Sequence, residues 1–195
     1  MNARPSATTG SAEGSRAWVA SMGGPLIAVP AFALSRWGGC TMSGLINGDA
    51  GTPDDYDRAC AVTGLAGVIP VGDDAAQALV LADEPAASCY LPEYRAFLRW
   101  LAAGSEGELL AGAQRILTDP ATAWEGCGTW ATDGPAVLMD SAEAGSDHGT
   151  AYPGGGLPEQ APVPLPAGIW AVHAVHTQTD QAWIGLIRLL PGQPT

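Results

Sequence analysis

Residues 18–30 read WVASMGGPLIAVP, and residues 130–140 read WATDGPAVLMD, so one short pattern occurs twice in the chain. Each copy opens with a tryptophan, continues through a Gly-Pro step and ends in a run of apolar residues. Glycine adopts backbone angles that other residues avoid and proline fixes φ, so the Gly-Pro step predicts a tight turn. Each copy therefore predicts a hairpin, in which a short strand begins at the tryptophan and a buried strand follows the turn.

A second pair of segments supports the repeat. Residues 74–85 read DAAQALVLADEP and residues 180–191 read DQAWIGLIRLLP, and both predict a polar turn, an apolar strand and a terminating proline. Two patterns in the same order suggest that two related halves build the fold through an internal duplication. Chance is the alternative, because a tryptophan followed by a strand, a turn and a second strand is a common hairpin sequence.

The length and composition set the broad class of the protein. The chain has 195 residues, enough for one domain or for two small units that share a core. Hydrophobic residues make up 47% of it, and 26 glycines with 16 prolines indicate short elements and many turns. No stretch approaches the roughly 20 apolar residues of a membrane-spanning helix. Residues 1–16 lack the apolar segment of a signal peptide, so we expect a disordered leader and a cytoplasmic protein.

The remaining patterns predict an α+β fold that is mostly β, with two related β-rich halves and one or two flanking helices. Ser105 and Glu108 match a capping box ahead of apolar residues at helical spacing, which predicts a helix over 105–118. The expected organisation is a single domain at 17–195, with halves at about 17–104 and 121–192 joined by this helix.

Shorter segments carry their own predictions. Residues 52–55 (TPDD) are typical of a helix start. Residues 68–71 and 78–82 predict a hairpin, whereas residues 94–103 fit a strand or a helix. Residues 142–166, with three consecutive glycines and several prolines, predict a long exposed connection.

The charge indicates which partners the protein can bind. The formal net charge is −12, and all eight basic residues are arginines. Residues 49–93 hold nine acidic side chains and a single arginine, Arg58, whereas residues 119–180 hold eight acidic side chains and no arginine or lysine. Such a surface repels phosphate backbones and anionic membranes, so we expect neither nucleic acid nor a membrane as a partner, whereas a basic protein would be attracted. Solubility alone is the other explanation of this charge.

The sequence contains no established catalytic motif. It has no nucleophile elbow, P-loop, zinc-protease helix or dinucleotide-binding fingerprint, and we expect no cofactor. Asp147 and His148 form the only adjacent pair of an acid and a histidine, in a segment predicted to be a loop. If the chain were an enzyme, its functional groups would come from Asp57, Arg58, Cys60 and His173.

The cysteines and histidines do not predict a metal site. His173 and His176 are three positions apart in a predicted strand, where odd spacing sends side chains to opposite faces. The cysteines lack the spacing of a metal site, and without a secretory signal they are expected to be free thiols. The four are Cys40, Cys60, Cys89 and Cys127.

Residues 54–60 (DDYDRAC) have the highest density of polar groups in the chain. Their carboxylates have three explanations: capping of a helix with pairing to Arg58, binding of a basic protein, or binding of a cation. Trp37 and Trp100 each follow an arginine, a pairing found at interfaces, although a tryptophan half-buried in the core is the alternative. The candidate partner-binding residues are Trp37, Asp54, Asp55, Asp57, Asp73, Asp74, Asp83 and Glu84.

Several of these segments together resemble the immunity protein 21 family of bacterial polymorphic toxin systems. The resemblance covers residues 18–190, although residues 88–104 match less closely. The segments that carry it are WVASMGGPLIAVP at 18–30, RWGG at 36–39, DYDRAC at 55–60, GVIPVG at 67–72, ALVLADEP at 78–85 and LPAGIWAV at 165–172.

The resemblance implies a small cytoplasmic protein that is encoded beside a toxin, binds that toxin and neutralises it. Many such toxins act on nucleic acids and carry basic clefts, which an acidic inhibitor can approach quickly and cover. The alternative is that the same scaffold has become a small-molecule enzyme or binding protein of specialised metabolism, with a pocket between the two halves.

Overall fold

The computed structural model describes residues 16–41, 53–72 and 75–192. Within these ranges two five-stranded antiparallel sheets pack face to face, and helices cover their outer faces. The fold class is therefore α+β and mostly β, as predicted. Nearly all of the expected leader, residues 1–15, lies outside the described residues.

The described strands are β1 (Leu26–Pro30), β2 (Gly67–Pro70), β3 (Gln77–Leu81), β4 (Ser88–Leu91), β5 (Ala96–Ala103), β6 (Glu125–Thr132), β7 (Ala136–Asp140), β8 (Gln160–Val163), β9 (Gly168–Gln178) and β10 (Ala182–Pro191). Two α-helices are described, α1 (Asp55–Cys60) and α2 (Glu106–Thr118), with 3₁₀ helices at Ala31–Arg36 and Gly145–Asp147. The front sheet has the strand order β2-β3-β1-β7-β8, and the back sheet has the order β4-β5-β10-β9-β6.

The main hydrophobic core lies between the sheets. Successive strand residues face opposite sides, so Trp170, Val172 and Ala174 of β9 enter this core, where they meet Leu79 and Leu138 of the front sheet. The outer face of the back sheet packs on α2, and the outer face of the front sheet packs on α1 and the 3₁₀ helix that follows β1. Both sheets are therefore covered on both faces over much of their area.

The two Gly-Pro segments do not form hairpins, which corrects the prediction. Trp130 lies in β6 of the back sheet, whereas β7, after the Gly-Pro step, pairs with β1 and β8 of the front sheet. In the first copy, Val19 forms a bridge with Ser88 of the back sheet before the chain enters β1. Each copy therefore crosses between the sheets, because the apolar residues before the turn and those after it enter the same core from the two facing sheets.

The crossings are related by a pseudo-two-fold axis. The pairing of β1 with β7 is symmetric about Ala28 and Leu138, since Leu26 faces Asp140 and Pro30 faces Ala136. The backbone confirms this arrangement beyond the strands. The Pro135 carbonyl accepts from the Ala31 N–H at 2.9 Å, and the Pro25 carbonyl accepts from the Ser141 N–H at 3.2 Å.

The strand order also repeats. Apart from β2, which precedes β3 in the chain and lies at the edge of the front sheet, each half forms a central front strand, an outer neighbour of it and then two back strands. The strands β1, β3, β4 and β5 are therefore the counterparts of β7, β8, β9 and β10. An internal duplication would produce this repeat. The second sequence pair is not part of it, because residues 74–85 contain β3 of the front sheet and residues 180–191 contain β10 of the back sheet.

The tryptophans of the two copies also differ. Trp130 is fully buried in the core, and its indole N–H donates to the Gln77 carbonyl at 2.9 Å. Trp18 is half-buried outside the back sheet, edge-on to Trp100 with ring centroids 5.4 Å apart. Val19, next to Trp18, fills the core instead. The resemblance of the tryptophans therefore reflects their place before a crossing and not a shared packing role.

Most of the local predictions are confirmed. Ser105 caps α2 through its hydroxyl, β2 and β3 form the expected hairpin, and residues 96–103 are a strand. The long exposed connection predicted at 142–166 is wrong, because it contains a 3₁₀ helix and β8. Ala161 of β8 faces the core between the sheets. The next residue, Pro162, has no N–H to donate, which is tolerated because β8 lies at the edge of the front sheet.

Candidate functional site

The carboxylates of residues 54–57 form the N-terminal cap of α1. The Asp54 side chain accepts the Asp57 N–H at 2.8 Å, and the Asp57 side chain accepts the Asp54 N–H at 3.2 Å, which is a reciprocal capping box. Asp54 also accepts the Thr41 N–H at 2.8 Å. Burial raises the pKa of Asp54, but the hydrogen bonds from Thr41 and Asp57 outweigh it and lower the pKa overall. Asp54 is therefore an ionised structural group at neutral pH.

Asp55 ties α1 to the segment before it. Its carboxylate accepts the Gly38 N–H at 2.6 Å and forms an ion pair with Arg58 one turn later. Of the three explanations for this acidic cluster, helix capping with pairing to Arg58 describes the structure. Asp57 keeps an exposed side chain, so it still contributes to the negative field at this surface.

Trp37 is not available as an interface anchor in this structure, which corrects the prediction. It is 1% exposed in the cluster that covers the front sheet, and its indole N–H donates to the Ser141 carbonyl at 3.0 Å. The apolar ring fills the space between the front sheet and the chain outside it. Trp37, which follows Arg36 in the sequence, is therefore a residue of the hydrophobic core.

Asp83 and Glu84 lie exposed in the connection between β3 and β4, where the chain passes from the front to the back sheet. Asp83 adopts a left-handed backbone conformation with φ of 67°. The side chain of Arg99 is 1% exposed, and it donates to the carbonyls of Ala82 and Glu84, the residues before and after Asp83. The buried guanidinium thereby holds a backbone conformation that costs about 1–3 kcal/mol in a residue other than glycine.

His176 completes a polar cluster with Arg99 and Asp83. Its Nδ1 lies 2.7 Å from the Asp83 carboxylate. Gly185 of β10 pairs with Arg99 on one side and His176 on the other, and a Cβ there would lie 2.9 Å from His176 Nε2. The glycine makes room for the two side chains to meet across the strand. Burial lowers the pKa of His176, as does the charge of Arg99, whereas Asp83 raises it.

The lowered pKa of His176 predicts a specific pH dependence of stability. The unfolded chain takes up a proton near the ordinary histidine pKa of about 6.5, whereas the folded protein resists protonation. Stability is therefore fully present above that pH and is lost as the pH falls through it toward the folded pKa. We expect His176→Gln to lose less free energy of unfolding than the wild type between about pH 7.5 and about pH 5.5. Urea denaturation at both pH values checks this, and equal losses would contradict it.

The four residues proposed for an enzyme are not brought together. Asp57, Arg58 and Cys60 lie on α1, outside the front sheet, whereas His173 lies in β9 of the back sheet. The inward neighbours of His173, Val172 and Ala174, direct it to the far face of that sheet. Both sheets therefore separate the histidine from the other three groups.

Cys60 and Asp83 both line a small surface cavity of about 190 Å³. It lies beside Gly24, whose missing side chain gives room to Tyr56, since a Cβ there would lie 2.6 Å from the tyrosine ring. The hydrogen bond to Cys60 is the main cause that raises the pKa of Tyr56 to about 12, and burial adds to it. The thiol is therefore a partner of Tyr56 within the packing of α1.

Asp73 and Asp74 lie outside the described residues. The four cysteines lie inside them as free thiols, and burial raises the pKa of Cys89 to about 12. In the described part of the chain, no three His, Cys, Asp or Glu side chains are grouped to hold a metal ion. Nor is any helix in that part long and apolar enough to cross a membrane.

The cluster of Arg99, His176 and Asp83 was not predicted as a unit. Its two signals in the sequence are Arg99 inside the apolar run of β5 and Gly185 inside the apolar run of β10. Each interrupts a strand that otherwise alternates into a core, which is typical of a buried polar contact or of close backbone approach. Only the register of β5, β9 and β10 shows that the two interruptions are neighbours.

In comparisons with known proteins, a protein family model matches the chain, whereas neither a curated protein nor a solved structure does. The family model described as Immunity protein 21 matches residues 17–182, which include all of the crossings, α1, α2 and the buried cluster. The match extends over the segments that carry the sequence resemblance and over most of the residues between them. The chain belongs to the immunity protein 21 family.

Proposed function

We propose that this protein binds a cognate toxin, encoded beside its own gene, and neutralises it in the cytoplasm by covering the toxin's functional surface. The observation that carries the proposal is membership of the immunity protein 21 family over residues 17–182. An inhibitor of this kind acts by occupying a surface, and it needs no catalytic group of its own.

The charge of the chain supports a basic toxin surface as its target. A net charge of −12 with no lysine produces a negative field, which accelerates the approach of a positively charged partner and repels nucleic acid. Asp83 and Glu84 contribute exposed carboxylates to this field, although Asp83 also binds His176. Electrostatic steering would then raise the association rate, and the contacts at the interface would lower the dissociation rate of the complex.

Co-expression tests the proposal. The neighbouring toxin gene is induced in a bacterial host with the full chain, with an empty vector, or with an unrelated acidic protein of similar size and net charge. We expect growth to be rescued only by this chain, and the two proteins to co-purify. The acidic control separates specific binding from a general effect of charge. Loss of growth with the folded chain present at the same level as the toxin would overturn the proposal.

A further inference from the structure

A groove on the side of the front sheet is lined by three large apolar side chains that are exposed to solvent. Met22 is 65% exposed, Leu157 is 58% exposed and Tyr152 is 38% exposed, and all three line a cavity of about 290 Å³. Large apolar side chains gathered at one concave site, with polar groups around them, are typical of protein contact sites. The groove lies where the crossing after Trp18 meets the segment between β7 and β8.

Three carboxylates, Asp140, Glu143 and Glu159, line the same groove, and none of its nine lining residues is basic. The charge of the groove is therefore not neutralised by the residues that form it. Net attraction to a cation follows from that imbalance, and it is strongest where water is partly excluded.

Each of these carboxylates is held in place by hydrogen bonds. Asp140 accepts the N–H groups of Met22 and Ala142 at 2.7 and 2.9 Å. Glu159 accepts the Ala20 N–H at 2.7 Å. These bonds fix the carboxylates before a partner arrives, so binding requires little further loss of side-chain freedom.

The third carboxylate, Glu143, is oriented by the phenol of Tyr152, which donates to it at 2.7 Å. This hydrogen bond is the main cause that raises the pKa of Tyr152 to about 12, and the charges of Asp140 and Glu159 add to it. The phenol therefore experiences the negative potential of all three carboxylates. Two backbone hydrogen bonds position Tyr152: its N–H donates to the Gly156 carbonyl at 2.9 Å, and its carbonyl accepts the Gly155 N–H at 2.8 Å.

The volume and chemistry select the occupant. A groove of about 290 Å³ lies at the lower limit of the roughly 300–1,000 Å³ that enclose small-molecule ligands, and three of its lining side chains are large and exposed to solvent. A long basic side chain fits it better, because the methylenes of arginine or lysine pack on apolar groups while the charged end reaches carboxylates. A second copy of this chain is disfavoured, because it would bring another net charge of −12 to an acidic groove.

We propose that this groove, lined by Met22, Tyr152 and Leu157 and by the carboxylates of Asp140, Glu143 and Glu159, is the toxin-binding surface and takes an arginine or lysine side chain of the toxin. This inference rests on the proposed function. It moves the centre of the interface away from the acidic residues of α1, which serve as its cap, to the second half of the chain. It also gives the three exposed apolar side chains a role as contact residues around the charge.

Binding of the purified full chain to the neighbouring toxin domain, measured by biolayer interferometry, tests the groove. We expect Glu143→Gln to weaken the complex about tenfold and Glu143→Lys to weaken it about 30-fold or more. The matched control is Asp180→Lys, which makes the same charge change at an exposed turn between β9 and β10 and should alter affinity less than about threefold. Circular dichroism establishes that each variant is folded.

A second pair of variants tests the apolar part without changing charge. Leu157→Ala should weaken binding about tenfold, whereas Leu190→Ala, also at an exposed leucine, should leave it unchanged. If the wild type binds and the variants of Glu143 and Leu157 bind equally well, the groove is not the interface, and the proposed function stands without it. Equal weakening by Glu143→Lys and Asp180→Lys would show that only total charge matters, which also overturns the groove. If the wild type fails to bind, the proposed function itself fails.

Discussion

Replacing Trp130 with alanine is expected to lower the free energy of unfolding by about 4 kcal/mol. Trp130 is fully buried where β6 crosses toward the front sheet, so truncation leaves a cavity between the sheets as well as removing apolar contacts. It also removes the indole hydrogen bond to the Gln77 carbonyl of β3, which joins the two sheets at this edge. Against a typical total of about 5–15 kcal/mol, this loss is a large fraction of the stability.

Two controls identify the source of this loss, which is measured by chemical denaturation. Trp130→Phe keeps an aromatic ring but loses the donor to Gln77, so it should cost about 1–2 kcal/mol. Trp183→Ala removes a tryptophan that is 47% exposed, and it should cost much less than Trp130→Ala. Equal destabilisation by Trp130→Ala and Trp183→Ala would contradict the assignment of Trp130 to the core between the sheets.

Replacing Arg99 with leucine is expected to destabilise the protein by about 3 kcal/mol. Leucine fills part of the space but leaves the carbonyls of Ala82 and Glu84 without their charged donor. It also releases the left-handed conformation of Asp83, whose carboxylate would then be free to leave His176. Burial lowers the pKa of Arg99 to about 10, so the side chain is still a cation at neutral pH.

The control for Arg99 is Arg115→Leu, because Arg115 is exposed on α2 and should change stability by no more than about 0.5 kcal/mol. Arg99→Lys keeps the charge but lacks the forked geometry that reaches two carbonyls, so an intermediate loss is expected. Thermal unfolding of the three variants checks this order. If Arg99→Leu were as stable as Arg115→Leu, the buried guanidinium would not be what holds the connection between β3 and β4.

The sequence predicted local elements well and their arrangement less well. The cap of α2 at Ser105 and the hairpin of β2 and β3 depend on residues near one another, so their patterns were sufficient. A Gly-Pro step between apolar runs, by contrast, is compatible with a hairpin and with a crossing between sheets. The choice between them depends on which strands lie on the other side of the core, and that information is distant in sequence.

At the candidate site, too, the sequence predicted which residue types are present but not how they are arranged. The density of carboxylates at residues 54–57 was visible, but a capping box and a binding surface require the same residue types, and only the hydrogen bonds of Asp54 and Asp55 distinguish them. Glu143 and Tyr152 lie in a segment that composition marked as an exposed connection. Their hydrogen bond and the apolar groups beside them depend on how that segment packs against the first crossing.

The most decisive test of the proposed function is direct binding between the purified chain and the toxin domain that we propose is encoded beside it. Association is measured at about 50 mM and about 300 mM salt, because screening separates steering by charge from contacts at the interface. We predict a stable complex at both, with an association rate that falls steeply as salt rises and a dissociation rate that changes little. No complex at either salt concentration, with both proteins folded, would contradict the claim that this chain neutralises its toxin by binding it.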